Sequence, residues 1–269
     1  LRRMRDDSFK LGKDYPAYGL FQPSFGDGGI YGPEPEYTTP MNVILGLSDA
    51  YRAGKRLKLP RYEEFGVFAQ ELMARMRECI ERDRRTTPEG IPYVPLSMAE
   101  NESYKPQTGC ATIARVAFHG EFEPDDRIVT DLLRLIDACD DREGIPECTG
   151  WRSDQSIYTY SSVRFAQLLL QAGQREKAAD YLYAFANHAS ASRVWREEQP
   201  VRETHSAEIC GDMPHNWASV EFIRLVRNLV VLETFTGVEL LPGLPEEWLP
   251  RAGDSLVLEK TPTRFGKLS

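Results

Sequence analysis

The stretch VWREEQPVRETHSAEICGDMPHNW, residues 194–217, holds four glutamates, one aspartate, two histidines and two tryptophans in a segment that does not read as regular helix. Glu197, Glu198 and Asp212 offer carboxylates for proton transfer or hydroxyl binding, and His215 offers a titratable nitrogen. Trp195 and Trp217 offer flat apolar rings, and a tryptophan on a loop gains little unless its ring covers something, such as a pyranose face. Two other stretches share this character. FGDGG, 25–29, sets Asp27 among glycines that let backbone approach closely, which suits a binding site and equally suits a tight turn. GWRSDQ, 150–155, sets Trp151 and Asp154 just ahead of a helical pattern, where Asp154 is either an N-cap or a hydroxyl ligand. Asp212 and His215 hold the same position ahead of the helix beginning near Asn216, with the same two roles open to them.

Some chemistries are disfavoured by spacing. His205, Glu208, Cys210, Asp212 and His215 are all metal-ligand types, but they fit neither a structural zinc site nor HExxH, so no metal is expected. FGDGGIYG lacks the GK[ST] of a phosphate loop, and no G-x-S-x-G elbow is present.

These residues need elements to hold them. Periodicity predicts helices over 38–56, 61–85, 107–119, 124–139, 155–172, 174–189 and 216–236. Two kinds alternate. The 61–85 and 174–189 helices have one wet face, whereas 216–236 is apolar nearly all round and is expected to be covered on most sides. A succession of inner and outer helices is what a ring or solenoid of α-hairpins requires. The long connections 20–37, 86–106, 140–154 and 190–214 each lead into an inner helix, which gathers them at one end of the stack. Loops longer than about 12–15 residues are usually functional. After 236 the chain reads as a connector and then strand material whose last strand has no evident partner.

The totals narrow the partners. A net charge of −8 leaves no Lys/Arg stripe for nucleic acid. No apolar run reaches membrane-spanning length, and the first residues lack the apolar region of a signal peptide, so a soluble chain without a membrane partner is expected. The five cysteines are scattered without a CxxC pair and read as buried thiols rather than a disulfide framework.

FGDGGI at 25–30, GW at 150–151, WREEQ at 195–199 and GDMPHNWASVEFI at 211–223 together resemble six-hairpin glycosidases of the glucoamylase-like and α-rhamnosidase-like kinds. The resemblance implies an all-α (α/α)6 toroid, here partial and followed by a short β tail. Its domains would be 1–236, the catalytic hairpin region, and 237–269, a connector and the start of a β-domain. It implies a carbohydrate substrate, no cofactor, and polysaccharide or glycoside hydrolysis by carboxylate acid/base catalysis with inversion. In glucoamylase-like relatives the base lies in a short acidic loop, which points to Glu198 beside Gln199. In rhamnosidase-like relatives a Trp-Glu pair occupies that loop, which points to Glu197 after Trp195. Asp27 is the candidate acid or a hydroxyl ligand, with Glu34 and Glu36 behind it. Trp151, Asp154, Trp195, Asp212, His215 and Trp217 would line sugar subsites. Seven helices fall short of six hairpins, which leaves room for a remaining toroid segment or an oligomer.

Two other functions compete. A polysaccharide lyase or sugar isomerase on the same scaffold would abstract a proton with His215 or with Tyr37, Tyr158 or Tyr160, helped by Arg152, Arg196 or Arg202. A non-catalytic sugar-binding scaffold would pack Trp151 and Trp195 inward or leave them apart.

Overall fold

Amphipathic spacing sets most of the architecture, which is mostly α. A computed structural model describes residues 1–25, 33–99, 105–139, 144–150, 156–201, 211–234 and 237–269, with the side chains of 24–25 and 109–112 outside that description. Among the described residues there are eight α-helices and five two-stranded antiparallel pairs. No helix among them is long and apolar enough to cross a membrane. The chain divides into two compact units, Leu1–Cys139 and Asp140–Ser269.

In the first unit, α1 (Arg2–Phe9), α2 (Thr38–Leu57), α3 (Glu63–Asp83), α4 (Cys110–Phe118) and α5 (Arg127–Ala138) are joined by two short strand pairs. These pairs are β1 (Ser24–Phe25) with β2 (Pro33–Glu34), and β3 (Arg85–Thr86) with β4 (Pro92–Tyr93). The α2–α3 hairpin forms because Met41, Ile44 and Leu45 on one helix and Phe68, Leu72, Met76 and Ile80 on the other repeat at three- and four-residue steps, and all are buried. Gly54 lets the hairpin close, since a Cβ there would stand 2.5 Å from that of Tyr62. α1 was not foreseen: RRMRDDSF has no apolar stripe. It is held by charge instead, Arg5 donating to Glu71 at 2.8 Å and the Arg2 guanidinium lying 4.4 Å from the Phe68 ring centre.

In the second unit, β5 (Ser156–Tyr158) leads directly into α6 (Thr159–Gln171), and Gly173, at φ +77°, turns the chain back into α7 (Arg175–Asn187). β6 (Glu198–Pro200) pairs with β5, setting Ile157 opposite Gln199 and Tyr158 opposite Glu198. α8 (Asn216–Val230) follows and packs on α6 and α7. As expected of an inner helix, α6 is buried along almost its whole length.

Three sequence expectations need correction here. The helix expected over 216–236 ends at Val230 and passes into β7 (Val231–Glu233), because β-branched valines meet a waiting partner, β8 (Val238–Leu240). The N–H groups of Leu241 and Gly243 then donate to the carbonyls of Val230 and Leu229, so the connector caps the helix end. α8 is also not covered on most sides: Trp217, Val220 and Ile223 are 64%, 52% and 66% exposed. Its packed face carries Ala218, Glu221, Leu225, Asn228 and Leu229.

The last strand does have a partner, β9 (Thr261–Thr263) pairing with β10 (Gly266–Leu268). Residues 237–269 belong to the second unit, and the division between units falls at 139/140. The connector is seated against the helices, since a Cβ on Gly243 would come within 2.5 Å of Leu170 and 2.7 Å of Leu229.

Candidate active site

The backbone brings the acidic loop to the mouths of two helices. Thr159, the first residue of α6, donates its N–H to the Glu197 carbonyl at 3.0 Å, and its hydroxyl donates to the Arg196 carbonyl at 2.6 Å. On the other side, Glu197 N–H donates to the Asp212 carbonyl at 3.2 Å, and His215 N–H donates to the Trp195 carbonyl at 2.9 Å. Residues 195–197 are thereby held between the start of α6 and the approach to α8. Gly211 makes the approach possible: at φ +86°, an added Cβ would lie 2.2 Å from both Cβ and Oε2 of Glu197.

The side chains then converge. Tyr158 donates its hydroxyl to Oε1 of Glu197 at 3.2 Å, and the hydroxyls of Tyr158 and Tyr160 stand 2.5 Å apart. His215 Nδ1 lies 2.9 Å from Oδ1 of Asp212 and 3.9 Å from Oε2 of Glu197. The imidazole is stacked between two rings, Tyr160 at 5.3 Å and Trp217 at 5.2 Å between centres. The Arg164 guanidinium lies over the Tyr160 ring, 4.6 Å from its centre. Arg164 Nε lies 3.5 Å from Glu221, which also accepts from Arg224. The hydrogen bond from His215 holds the exposed Asp212 carboxyl below the usual carboxylate range.

The structure separates the two candidate bases. Side chains alternate along an extended segment, so Glu197 reaches this cluster while Glu198 is fully buried and accepts from the Ser156 hydroxyl at 3.4 Å. The expectation for Trp195 is likewise corrected. Its ring is 6% exposed, stacked 4.8 Å from Phe185 and 5.1 Å from Phe222, and its Nε1–H donates to the Phe185 carbonyl at 2.8 Å. It is a core residue because two phenylalanines present faces to it and its one donor is satisfied. Trp217, by contrast, keeps its outer face open. Asp27, Trp151 and Asp154, with Arg152 and Arg202, lie outside the described residues.

Tyr37, offered as a rim base, belongs to the first unit. It is 1% exposed and donates to Asp83 at 2.7 Å, and burial together with that carboxylate pushes its hydroxyl far above the usual phenol range. Glu36, also in the first unit, is buried, and Glu34 is half-buried. Arg164 and Gly211 were missed by sequence reasoning. The available signal was an arginine inside an otherwise uncharged inner helix.

Glu197, Asp212 and His215 present ligand atoms within 4.8 Å of one another, a set that could hold a divalent ion. The hydrogen bonding does not suit one. A metal on Nδ1 would force the ring proton onto Nε2, which is buried and has no hydrogen-bond partner among the described residues, whereas ligating histidines normally donate their second N–H. The arrangement fits an Nδ1–H donated to Asp212.

Compared with family profiles, curated proteins and solved structures, the chain finds no match in any of the three.

Proposed function

We propose that this chain is a glycoside hydrolase, built on part of an (α/α) toroid, with Glu197 as its catalytic base. The observation that carries the reading is the juxtaposition of the Glu197 carboxylate with the Asp212–His215 pair under the open ring of Trp217. A carboxylate oriented by a tyrosine hydroxyl can take a proton from water, and a tryptophan face beside it can carry a sugar ring. The pairing of a buried α6 with a wet-faced α7, an inner helix with an outer one, supports the toroid. Inversion needs carboxyl groups about 6.5–9.5 Å apart. Asp212 is closer than that to Glu197, within 4.8 Å, and is engaged by His215, so it does not suit the part of the acid.

The test is incubation with plant and microbial oligosaccharides, following reducing ends, the anomeric proton of the first product, and the ultraviolet band of unsaturated uronates. Hydrolysis with inversion is expected, and Glu197→Gln should lower turnover by about 10²–10⁴-fold, the usual worth of a positioned base. Full turnover by Glu197→Gln overturns the assignment. The Tyr158–Tyr160 hydroxyl contact beside His215 favours a second reading, a lyase or sugar isomerase with a tyrosine base. The ultraviolet band, or isomerised sugar without cleavage, would select it. Sugar-dependent quenching of Trp217 without turnover would select the binding scaffold, which the inward packing of Trp195 suits.

A further inference from the structure

We infer that a pocket between the end of α1, the turn after it and α3 binds a small organic monoanion, a carboxylate borne on a flat apolar ring. It lies in the first unit and is independent of the hydrolase reading. The pocket measures about 490 Å³, within the range of small-molecule sites, and is lined by Arg5, Phe9, Lys13, Tyr18, Glu71 and Arg75 around Gly19. Hydrogen bonds fix its walls. Gly19 donates its N–H to the hydroxyl of the buried Ser8 at 3.1 Å, and Arg75 donates its Nε–H to the Tyr18 carbonyl at 2.7 Å. Phe9 meets Tyr18 edge to face, with 5.0 Å between ring centres. Gly19 also keeps the space open: at φ +82°, an added Cβ would stand 3.4 Å from the Phe9 ring and 3.5 Å from the Arg75 side chain.

Charge and shape select the ligand together. Arg2, Arg5, Lys13 and Arg75 stand in or beside the pocket, and the acids paired with them are Asp6, Glu71 and Glu78. One positive charge is left over, in a chain whose net charge is −8. The neighbouring Lys10 and Asp7 pair with each other. Arg5 commits all three of its nitrogens to Asp6 and Glu71, and Arg75 commits Nε to Tyr18 and Nη1 to Glu78. The donors left to meet an anion are Nη2 of Arg75 and the ammonium of Lys13, which is exposed and in no ion pair among the described residues. A single carboxylate matches the surplus charge, whereas a dianion such as phosphate exceeds it. Phe9, 42% exposed, and Tyr18 supply ring surface that a flat apolar body would cover and an inorganic ion would leave wet.

The test titrates the full chain with 2-naphthoate, its neutral counterpart 2-naphthamide and inorganic phosphate, following the Gly19 amide and the Phe9 ring by nuclear magnetic resonance. It needs no turnover. Naphthoate should shift both signals and half-saturate at about 1 mM or below, as a fragment of its size can. Naphthamide should bind about five- to tenfold more weakly, because two cations lose their partner, and phosphate should not saturate over the same range. Lys13→Gln, at an exposed and unpaired position that the fold does not use, should weaken naphthoate about two- to fivefold, the worth of one exposed ion pair, and leave naphthamide unchanged. Four results would each overturn the inference: naphthoate leaving Gly19 and Phe9 unmoved, naphthamide binding as tightly, phosphate binding as tightly, or Lys13→Gln affecting both naphthyl probes equally or neither.

Discussion

Replacing Gly211 with alanine tests whether Glu197 is packed where the site requires it, without altering any group that would touch substrate. Two penalties are expected. The left-handed φ of +86° costs an L-residue about 1–2 kcal/mol. The new methyl would also lie 2.2 Å from Cβ and Oε2 of Glu197. The carboxylate can swing away, but the Cβ cannot, because residues 195–197 are pinned by the N–H of Thr159 on one side and the carbonyl of Asp212 on the other. Overpacking of this kind typically costs about 1–3 kcal/mol. In a Glu197→Gly background the second penalty disappears and the first remains. A double-mutant cycle should therefore give a coupling of about 1–3 kcal/mol. Urea unfolding followed by tryptophan emission is the appropriate assay, since Trp151, Trp195, Trp217 and Trp248 all lie in the second unit and report on it alone. Equal destabilisation in both backgrounds would mean that Gly211 serves only its backbone angle. In that case the side chain of Glu197 does not lie against residue 211, and the cluster as described is refuted.

Two further outcomes follow from contrasts within the same unit. Trp195→Ala should cost about 3–5 kcal/mol in the same unfolding assay, as for a buried aromatic, whereas Trp217→Ala should leave stability within about 0.5 kcal/mol and remove any saccharide-dependent change in emission; the reverse pattern would exchange their roles. Glu233 joins the end of α8 to the terminal hairpin, accepting from Arg227 at 2.5 Å and from the Arg264 N–H at 2.7 Å. Burial works against its charge, but the Arg264 N–H and the two guanidiniums prevail and hold its carboxyl below the usual range. The stability it contributes is therefore present above the unfolded glutamate pKa, about 4.3, and is lost as pH falls through the lower folded value. The protection of amides in 261–268, relative to their intrinsic exchange rates, should fall over that acid range, and Glu233→Gln should abolish that pH-dependent loss.

Much of the helical framework was legible because its signal is redundant. Phe68, Leu72, Met76 and Ile80 each repeat the same statement about α3, so no single residue decides it. The strands were not legible, because two- and three-residue segments are shorter than any periodicity and exist through pairing with distant partners. The end of α8 shows the same limit: nothing in NLVVLE announces a strand until Val238–Leu240 comes alongside. At the site, sequence brought Glu197 and Glu198 into view together and could not separate them. Their opposite faces are fixed by the register in which Tyr158 meets Glu198. Trp195 misled for a related reason, since the rings that bury it, Phe185 and Phe222, sit on two other helices.

The seat of Gly243 between Leu170 and Leu229 bears on how this chain can be cut for laboratory use. A composition-based boundary after residue 236 looks natural, yet Pro242, Gly243 and Pro245 are buried and form the floor beneath α6 and α8. A fragment trimmed there would expose both leucines and the last carbonyls of α8, and should be recovered as aggregate. Trimming instead within 254–259, a stretch without regular structure and exposed at nearly every position, should yield a fragment that stays in solution.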